Sequence, residues 1–188
     1  MDTETARVLV ISRLSESAEL RRHLIESEVD SIVLAGEAIR DAFDQGGKVL
    51  IFGNGGSAAD AQHIAAEFVG RFIEERSPLP ALALTTDSSA VTAIGNDYGF
   101  EQIFARQINA LGNSRDVAIA ISTSGHSANV LAAVDVARQL GLRTIGLTGR
   151  DGGKLGEAVD IPIVVPSQST ARIQECHITI GHILCEIA

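Results

Sequence analysis

Five short apolar runs constrain this chain most: Val49-Leu50-Ile51-Phe52, Ala81-Leu82-Ala83-Leu84, Val117-Ala118-Ile119-Ala120-Ile121, Thr144-Ile145-Gly146-Leu147 and Ile161-Pro162-Ile163-Val164-Val165. Each is nearly continuous rather than alternating, so as a strand it needs cover on both faces, which a parallel sheet between two helical layers supplies. Helical candidates lie between the runs. The predicted architecture is therefore α/β: a doubly wound, five-stranded parallel sheet flanked by helices. In such sheets ligands bind beyond the carboxyl ends of the strands, where connections leave in opposite directions and open a crevice. The loops after the strands are expected to hold the chemistry.

Upstream of the first run, Ile25, Val29, Ile32, Val33 and Ile39, with Ala35 and Ala38, recur at helical spacing until Gln45-Gly46-Gly47 stops them. An N-terminal helical arm over 1–46 is expected, followed by an α/β core over 47–188. Arg7-Val8-Leu9-Val10-Ile11 has the residue preferences of a strand as well as of a helix. With 188 residues the chain suits one complete core and is short for two typical domains with a linker.

The loop after the first run reads Gly53-Asn54-Gly55-Gly56-Ser57-Ala58-Ala59-Asp60. Glycines there let the backbone turn sharply into a helix whose free amides face an anion. The spacing is neither the Rossmann fingerprint nor a Walker loop. The loop after the third run, Ser122-Thr123-Ser124-Gly125-His126-Ser127, places four hydroxyls before Ala128-Asn129-Val130 opens another helix. Ordinary N-capping accounts for one of them. Hydroxyls and backbone N–H groups together can bind a phosphate without lysine.

Two groups of side chains could supply acid–base or metal chemistry. His63 and Glu67 are four apart and share a face of the helix after the glycine loop. On the last helix Gln174, Ile178 and His182 form a row, with amide and imidazole two turns apart, so one centre takes both only if another element enters between them. His177 lies off that row and reads as a packing or surface histidine. A His, Glu, Gln and His set suits a divalent ion such as zinc. Glu67 and His182 equally suit an acid/base pair for aldose–ketose exchange, in which a proton leaves carbon beside a carbonyl and returns one carbon away.

Composition narrows the partners. A formal charge of −9 repels nucleic acid and anionic membranes at long range, so any anion site has to be local. No apolar stretch reaches the length of a membrane span, and the acidic N-terminus lacks a basic segment followed by a hydrophobic core; a cytoplasmic protein is expected. Cys176 and Cys185, on one helix, stand roughly 13 Å apart along its axis and cannot be bridged within it. They read as small buried apolar residues.

Taken together, Gly53-Asn54-Gly55-Gly56-Ser57, His63 with Glu67, Gly95-Asn96-Asp97, Ser122-Thr123-Ser124-Gly125, and Arg172-Ile173-Gln174-Glu175 through His182 resemble the phosphoheptose isomerases of the sugar isomerase (SIS) domain family. The resemblance runs from about Ile25 to the end of the sequence. It implies a homotetramer with active sites between subunits, converting sedoheptulose 7-phosphate to D-glycero-D-manno-heptose 7-phosphate. It also implies one zinc per subunit on His63, Glu67, Gln174 and His182, with Glu67 and His182 catalytic. Substrate contacts are implied for Asn54, Gly55, Gly56, Glu67, Asn96, Asp97, Ser122, Thr123, Ser124, Ser127 and Gln174. His126 departs from the family pattern, which has Asn there, and sets a titratable ring beside the expected phosphate.

The implied mechanism is a zinc-assisted enediol route. It carries a tension, because a side chain held tightly by zinc is not a free base. The rival class is a non-catalytic SIS-domain scaffold, such as an initiator-associating paralogue, or a sugar-phosphate sensor. A scaffold of that kind lacks the acid/base positions, and this chain has both Glu67 and His182.

Overall fold

The computed structural model describes residues 1–73 and 75–188. Five parallel strands form one sheet: β1 (Val49–Gly53), β2 (Ala81–Ala83), β3 (Val117–Ser122), β4 (Arg143–Gly149) and β5 (Ile161–Val165), in the order β2-β1-β3-β4-β5. The doubly wound α/β fold expected from the five runs is the one observed. Strand period two divides each run between the faces. Val49, Ile51, Ile119, Ile121, Ile145 and Leu147 enter one core, while Leu50, Phe52, Ala118 and Ala120 enter the other.

The first face is covered by α1 (Thr3–Ser27), α2 (Val29–Asp44), α3 (Gly56–Val69) and α8 (Thr170–Ile187). The second carries α4 (Ser88–Tyr98), a short 3-10 turn (Phe100–Gln102), α5 (Ala105–Leu111), α6 (Ala128–Gln139) and α7 (Gly153–Ala158). Order and direction place the crevice. From β1 the chain passes through α3 to β2 on one side, and from β3 through α6 to β4 on the other. The switch point lies between β1 and β3, at the glycine and serine loops.

Arg7-Val8-Leu9-Val10-Ile11, open between strand and helix in sequence, lies inside α1. Asp2 starts that helix by accepting from the Thr5 N–H at 2.8 Å. Val8, Val10, Ile11 and Leu14 remain exposed on it. Leu24 anchors the second half of α1 in the core, with Leu20 packed against the same cluster. Earlier along the helix the holding contacts are polar: Ser17 Oγ donates to Glu175 Oε2 at 2.8 Å, and Arg172, paired with Glu175 Oε1 at 2.6 Å, donates to the Arg13 carbonyl at 3.0 Å. α2 is separated from α1 only by Glu28, whose carboxylate accepts from the Val164 N–H at 3.3 Å. That bond covers the open edge of β5. Burial raises the Glu28 pKa, and the Val164 N–H opposes the shift.

α8 docks on close approaches that only glycine permits. A Cβ on Gly149 would stand 2.4 Å from Ile173 Cδ1, one on Gly181 2.5 Å from Ile64 Cδ1, and one on Gly36 2.6 Å from Ile187 Cγ2. Cys176 and Cys185 are both buried and unbridged, and burial pushes the Cys185 thiol up to about 12. No described helix is long and apolar enough to cross a membrane.

Candidate active site

The glycine loop is shaped by the neighbouring strand. A Cβ on Gly53 would lie 2.7 Å from the Ile121 carbonyl of β3, and Gly55 has φ +56, in the left-handed region. α3 then begins at Gly56 with no side-chain cap; the Ser57 and Ala58 N–H groups donate to the Asn54 and Gly55 carbonyls, and among the described residues the Gly56 N–H of that turn has no partner.

On the serine loop the hydroxyls face one another. Ser122 Oγ, on a buried residue, lies 3.0 Å from Ser127 Oγ and 3.4 Å from Ser124 Oγ. Ser127 is the N-cap residue of α6, but its hydroxyl makes no cap bond. Capping therefore accounts for none of the four hydroxyls, and α6 also opens uncapped. Two helix starts without side-chain caps, after adjacent strands, turn their partial positive charge to one crevice. Gly125 has φ +67, and a Cβ there would stand 2.3 Å from the Gly152 carbonyl, so the loop closes onto the one after β4. His126 turns to that same side. Its Nδ1 lies 2.6 Å from the Ser124 carbonyl, and a Cβ on Gly153 would touch its ring at 2.6 Å.

The two loops are latched by a pair absent from the sequence expectations. Asn54 Nδ2 donates to Asn129 Oδ1 at 2.8 Å, and Asn129 Nδ2 donates back to Asn54 Oδ1 at 2.9 Å. Asn129 is only 3% exposed. It stands in the first turn of α6, where the sequence shows only that a helix opens. No local pattern marks its partner, 75 residues away.

α3 and α8 lie side by side, so that Gln174 meets Gly56, Gly181 meets Ile64, and His182 meets His63. α3 runs alongside the Gln174–His182 row and meets its two ends separately, at Gly56 and at His63. His63 Nε2 is 2.9 Å from His182 Nε2 and 3.3 Å from Glu67 Oε1. The ligand atoms of all three residues lie within 4.8 Å of one another. Two imidazole nitrogens facing at this distance either share one proton or both offer lone pairs to a cation. Tetrahedral zinc with bonds of 2.0–2.1 Å separates its nitrogen ligands by roughly 3.3 Å. The His63–Glu67 spacing matches that separation and the 2.9 Å between the imidazole nitrogens falls about 0.4 Å short of it, so the three donors suit a metal ion after a small opening of the pair. Phe72 lies beside His182, with ring centroids 5.6 Å apart.

The remaining expected residues divide. The Gln174 amide lies against Gly56, where a Cβ would come within 2.2 Å of its Nε2, so it borders the glycine loop. Thr123, half-buried, follows Ser122 on the serine loop. Asn96 and Asp97 sit at the exposed end of α4, and Asn96 Nδ2 donates to Asp97 Oδ1 at 2.8 Å. No hydrogen bond links either side chain to the two loops or to the histidine pair, among the described residues. One turn before His63, Asp60 has a buried oxygen without a partner among the described residues; burial raises its pKa, and His63 opposes the shift. His177 is fully buried, as a packing residue, and plays no direct part in the crevice.

Comparison with known proteins agrees with the fold. The SIS domain model matches residues 14–149. The phosphoheptose isomerase of Aquifex aeolicus (strain VF5) is 58% identical over 172 residues, covering 92% of this chain and 90% of its own length. That of Roseiflexus sp. (strain RS-1) is 56% identical over 178 residues, covering 95% and 90%. Among solved structures, phosphoheptose isomerase from Neisseria gonorrhoeae superposes with a TM-score of 0.91 at 46% identity, over 96% of this chain and 97% of that one. The enzyme from Francisella tularensis gives 0.93 at 42% identity, over 97% of each. A crevice built at a sheet switch point from a glycine loop, a serine loop and a His–Glu–His group, in a chain this similar to those enzymes over nearly its whole length, belongs to the phosphoheptose isomerases of the SIS domain family.

Proposed function

We propose that this chain interconverts sedoheptulose 7-phosphate and D-glycero-D-manno-heptose 7-phosphate, and the observation that carries the reading is the His63–Glu67–His182 group beside two uncapped helix starts. The phosphate is held by Ser122, Thr123, Ser124 and Ser127 with the amides at the start of α6. Asn54, Gly55, Gly56 and Gln174 line the sugar on the other wall, and Asn96 and Asp97 complete its contacts. Hydrogen-bond donors and helix termini neutralise the phosphate locally, which suits a chain of net charge −9.

His63, Glu67 and His182 hold one zinc per subunit, with the amide of Gln174 as a weaker fourth ligand. When bound, zinc polarises the carbonyl and hydroxyl oxygens of the sugar and so acidifies the adjacent C–H. Glu67 accepts the proton from carbon 1 of the ketose. The electron pair left behind forms the C1–C2 double bond as the ketone oxygen takes up a proton, giving an enediol. A proton then returns to carbon 2 as the carbon 1 hydroxyl loses its own and becomes the aldehyde. His182 exchanges the oxygen-bound protons on the opposite side of the sugar. Glu67 Oε1 is the oxygen turned toward His63, so the second oxygen is left for the sugar. That division eases the tension between ligand and base.

The chain works as a homotetramer with sites at subunit interfaces. Support comes from the row of exposed apolar residues on α1 (Val8, Val10, Ile11 and Leu14) and from the lack of any tie between Asn96 or Asp97 and the rest of the site within the described residues of one subunit. The small-molecule substrate and the acidic surface favour an enzyme of the cytoplasm without nucleic-acid or membrane partners.

The deciding measurement is NMR of purified protein with sedoheptulose 7-phosphate in deuterated buffer, after chelation and again after adding zinc. Conversion to the aldose, with solvent deuterium at carbon 2 and dependence on zinc, is the expected result. Binding without conversion would replace this reading with a sensor or scaffold.

A further inference from the structure

α8 carries both Gln174 and His182, and between them His177 is buried completely. Its Nε2 lies 3.0 Å from the carbonyl oxygen of Thr148, so Nε2 bears the proton and donates it. Nδ1 is buried and has no partner among the described residues. Burial holds the ring neutral, with its pKa lowered to about 4. A buried donor on a helix bonded to a strand carbonyl is a fixed-length strut, because the alternative leaves both groups desolvated and unpaired.

The strut ends at an informative place. Thr148 is the register partner of Ser122, the first serine of the phosphate loop. Its own hydroxyl donates to the Gly152 carbonyl at 3.0 Å, and that carbonyl is the group against which Gly125 of the serine loop packs. One turn before His177, Ile173 packs on Gly149, where a Cβ would stand 2.4 Å from Ile173 Cδ1 and 2.7 Å from the Thr123 carbonyl. The end of α8 nearest the loop is thus keyed to the tip of β4, and its far end is keyed to α3 by Gly181 on Ile64. From Ser122 the path runs across the sheet to Thr148, from its carbonyl to His177, and along α8 to His182.

We propose that His177 is a positioning residue that registers the metal-holding residues on α8 against the phosphate-binding loop, so that occupancy of one site favours the other. The inference rests on the reading that the serine loop takes phosphate and the His63–Glu67–His182 group takes a divalent ion. It does not require that the sugar be a heptose. His177 touches neither ligand. It sets the distance between the two groups that do.

The test uses full-length protein and four forms: wild type, H177Q, H177F and H177L. Gln places an amide N–H where Nε2 stands, whereas Phe and Leu fill the space without a donor. Zinc dissociation constants are measured by competition with a chromophoric chelator, with and without inorganic phosphate, and thermal melts confirm folding. In wild type and H177Q, phosphate should tighten zinc several-fold. In H177F and H177L zinc should weaken about tenfold, the scale seen when a supporting partner of a metal ligand is lost, and the effect of phosphate should disappear. A folded H177F with wild-type zinc affinity and intact phosphate coupling would overturn the proposal. So would absence of coupling in wild type. If H177F and H177L fail to fold, H177Q decides: coupling equal to wild type supports the strut, and its loss refutes it. Wild-type turnover of sedoheptulose 7-phosphate is assayed separately, so a wrong substrate shows there while the coupling result stands.

Discussion

Asn54 and Asn129 form a closed pair of amide hydrogen bonds, 2.8 and 2.9 Å long, that ties the loop after β1 to the first turn of the helix after β3. The pair spans the switch point of the sheet, so the width of the ligand crevice is set by two side chains. Replacing Asn129 with Ala leaves the Asn54 amide without its partner, at a cost of about 1–3 kcal/mol where that amide stays shielded from water. The N129A protein should melt earlier and show a KM for sedoheptulose 7-phosphate raised about tenfold, with a smaller change in kcat. Steady-state kinetics and a thermal melt check both.

Glu67 has a different signature. E67Q retains the side-chain shape while removing the base, so turnover should fall by at least about a hundredfold, the contribution typical of a positioned proton acceptor. Sugar-phosphate binding, read by calorimetry, should stay within a few-fold of wild type. Turnover at the wild-type rate would remove Glu67 from proton transfer.

Gly125 has φ +67 with the Gly152 carbonyl in the space a Cβ would need. G125A is therefore expected to shift the serine loop away from the loop after β4 and to spread Ser122, Ser124 and Ser127, which now lie 3.0–3.4 Å apart about Ser122. Phosphate affinity should drop more than overall stability. Titration with inorganic phosphate beside a melting curve separates the two effects.

Burial lowers the His177 pKa to about 4, against 6.5 for the ordinary side chain. The unfolded chain therefore takes up a proton there that the folded chain refuses. Stability from this group is complete above about pH 6.5 and is lost progressively as pH falls toward 4. The full loss is about 3 kcal/mol, from 1.36 kcal/mol per unit. Urea unfolding at pH 7.5 and pH 5 should show about 2 kcal/mol of this loss in wild type, since pH 5 lies about 1.5 units below the ordinary value of 6.5. In H177Q, which cannot titrate there, the drop between the two pH values should be smaller.

Metal removal gives a further outcome. Exhaustive chelation should abolish isomerisation, and zinc should restore it, while H63A should neither bind zinc tightly nor regain activity on its addition. In the metal-free protein His63 and His182 can share a single proton across their 2.9 Å contact. Ring nitrogen chemical shifts at pH 7 should then show one protonated and one unprotonated facing nitrogen, and zinc should convert both to the metal-bound form.

Much of this fold was legible in local chemistry. Continuous runs such as Val117–Ile121 have no polar face to give to water, so they required a sheet covered on both sides, and the glycine and hydroxyl loops followed directly after two of them. The i, i+4 spacing of His63 and Glu67 put both on one helix face for the same kind of reason. The order β2-β1-β3-β4-β5, the latch from Asn54 to Asn129, the meeting of His63 with His182 and the strut from His177 to Thr148 were decided only in three dimensions. Each depends on contacts between residues far apart in the chain, and such contacts leave no periodic mark: an asparagine in a first turn looks the same whether it caps its own helix or clasps another loop. Local spacing determines which groups share a face, and packing of buried surfaces against one another determines which faces meet.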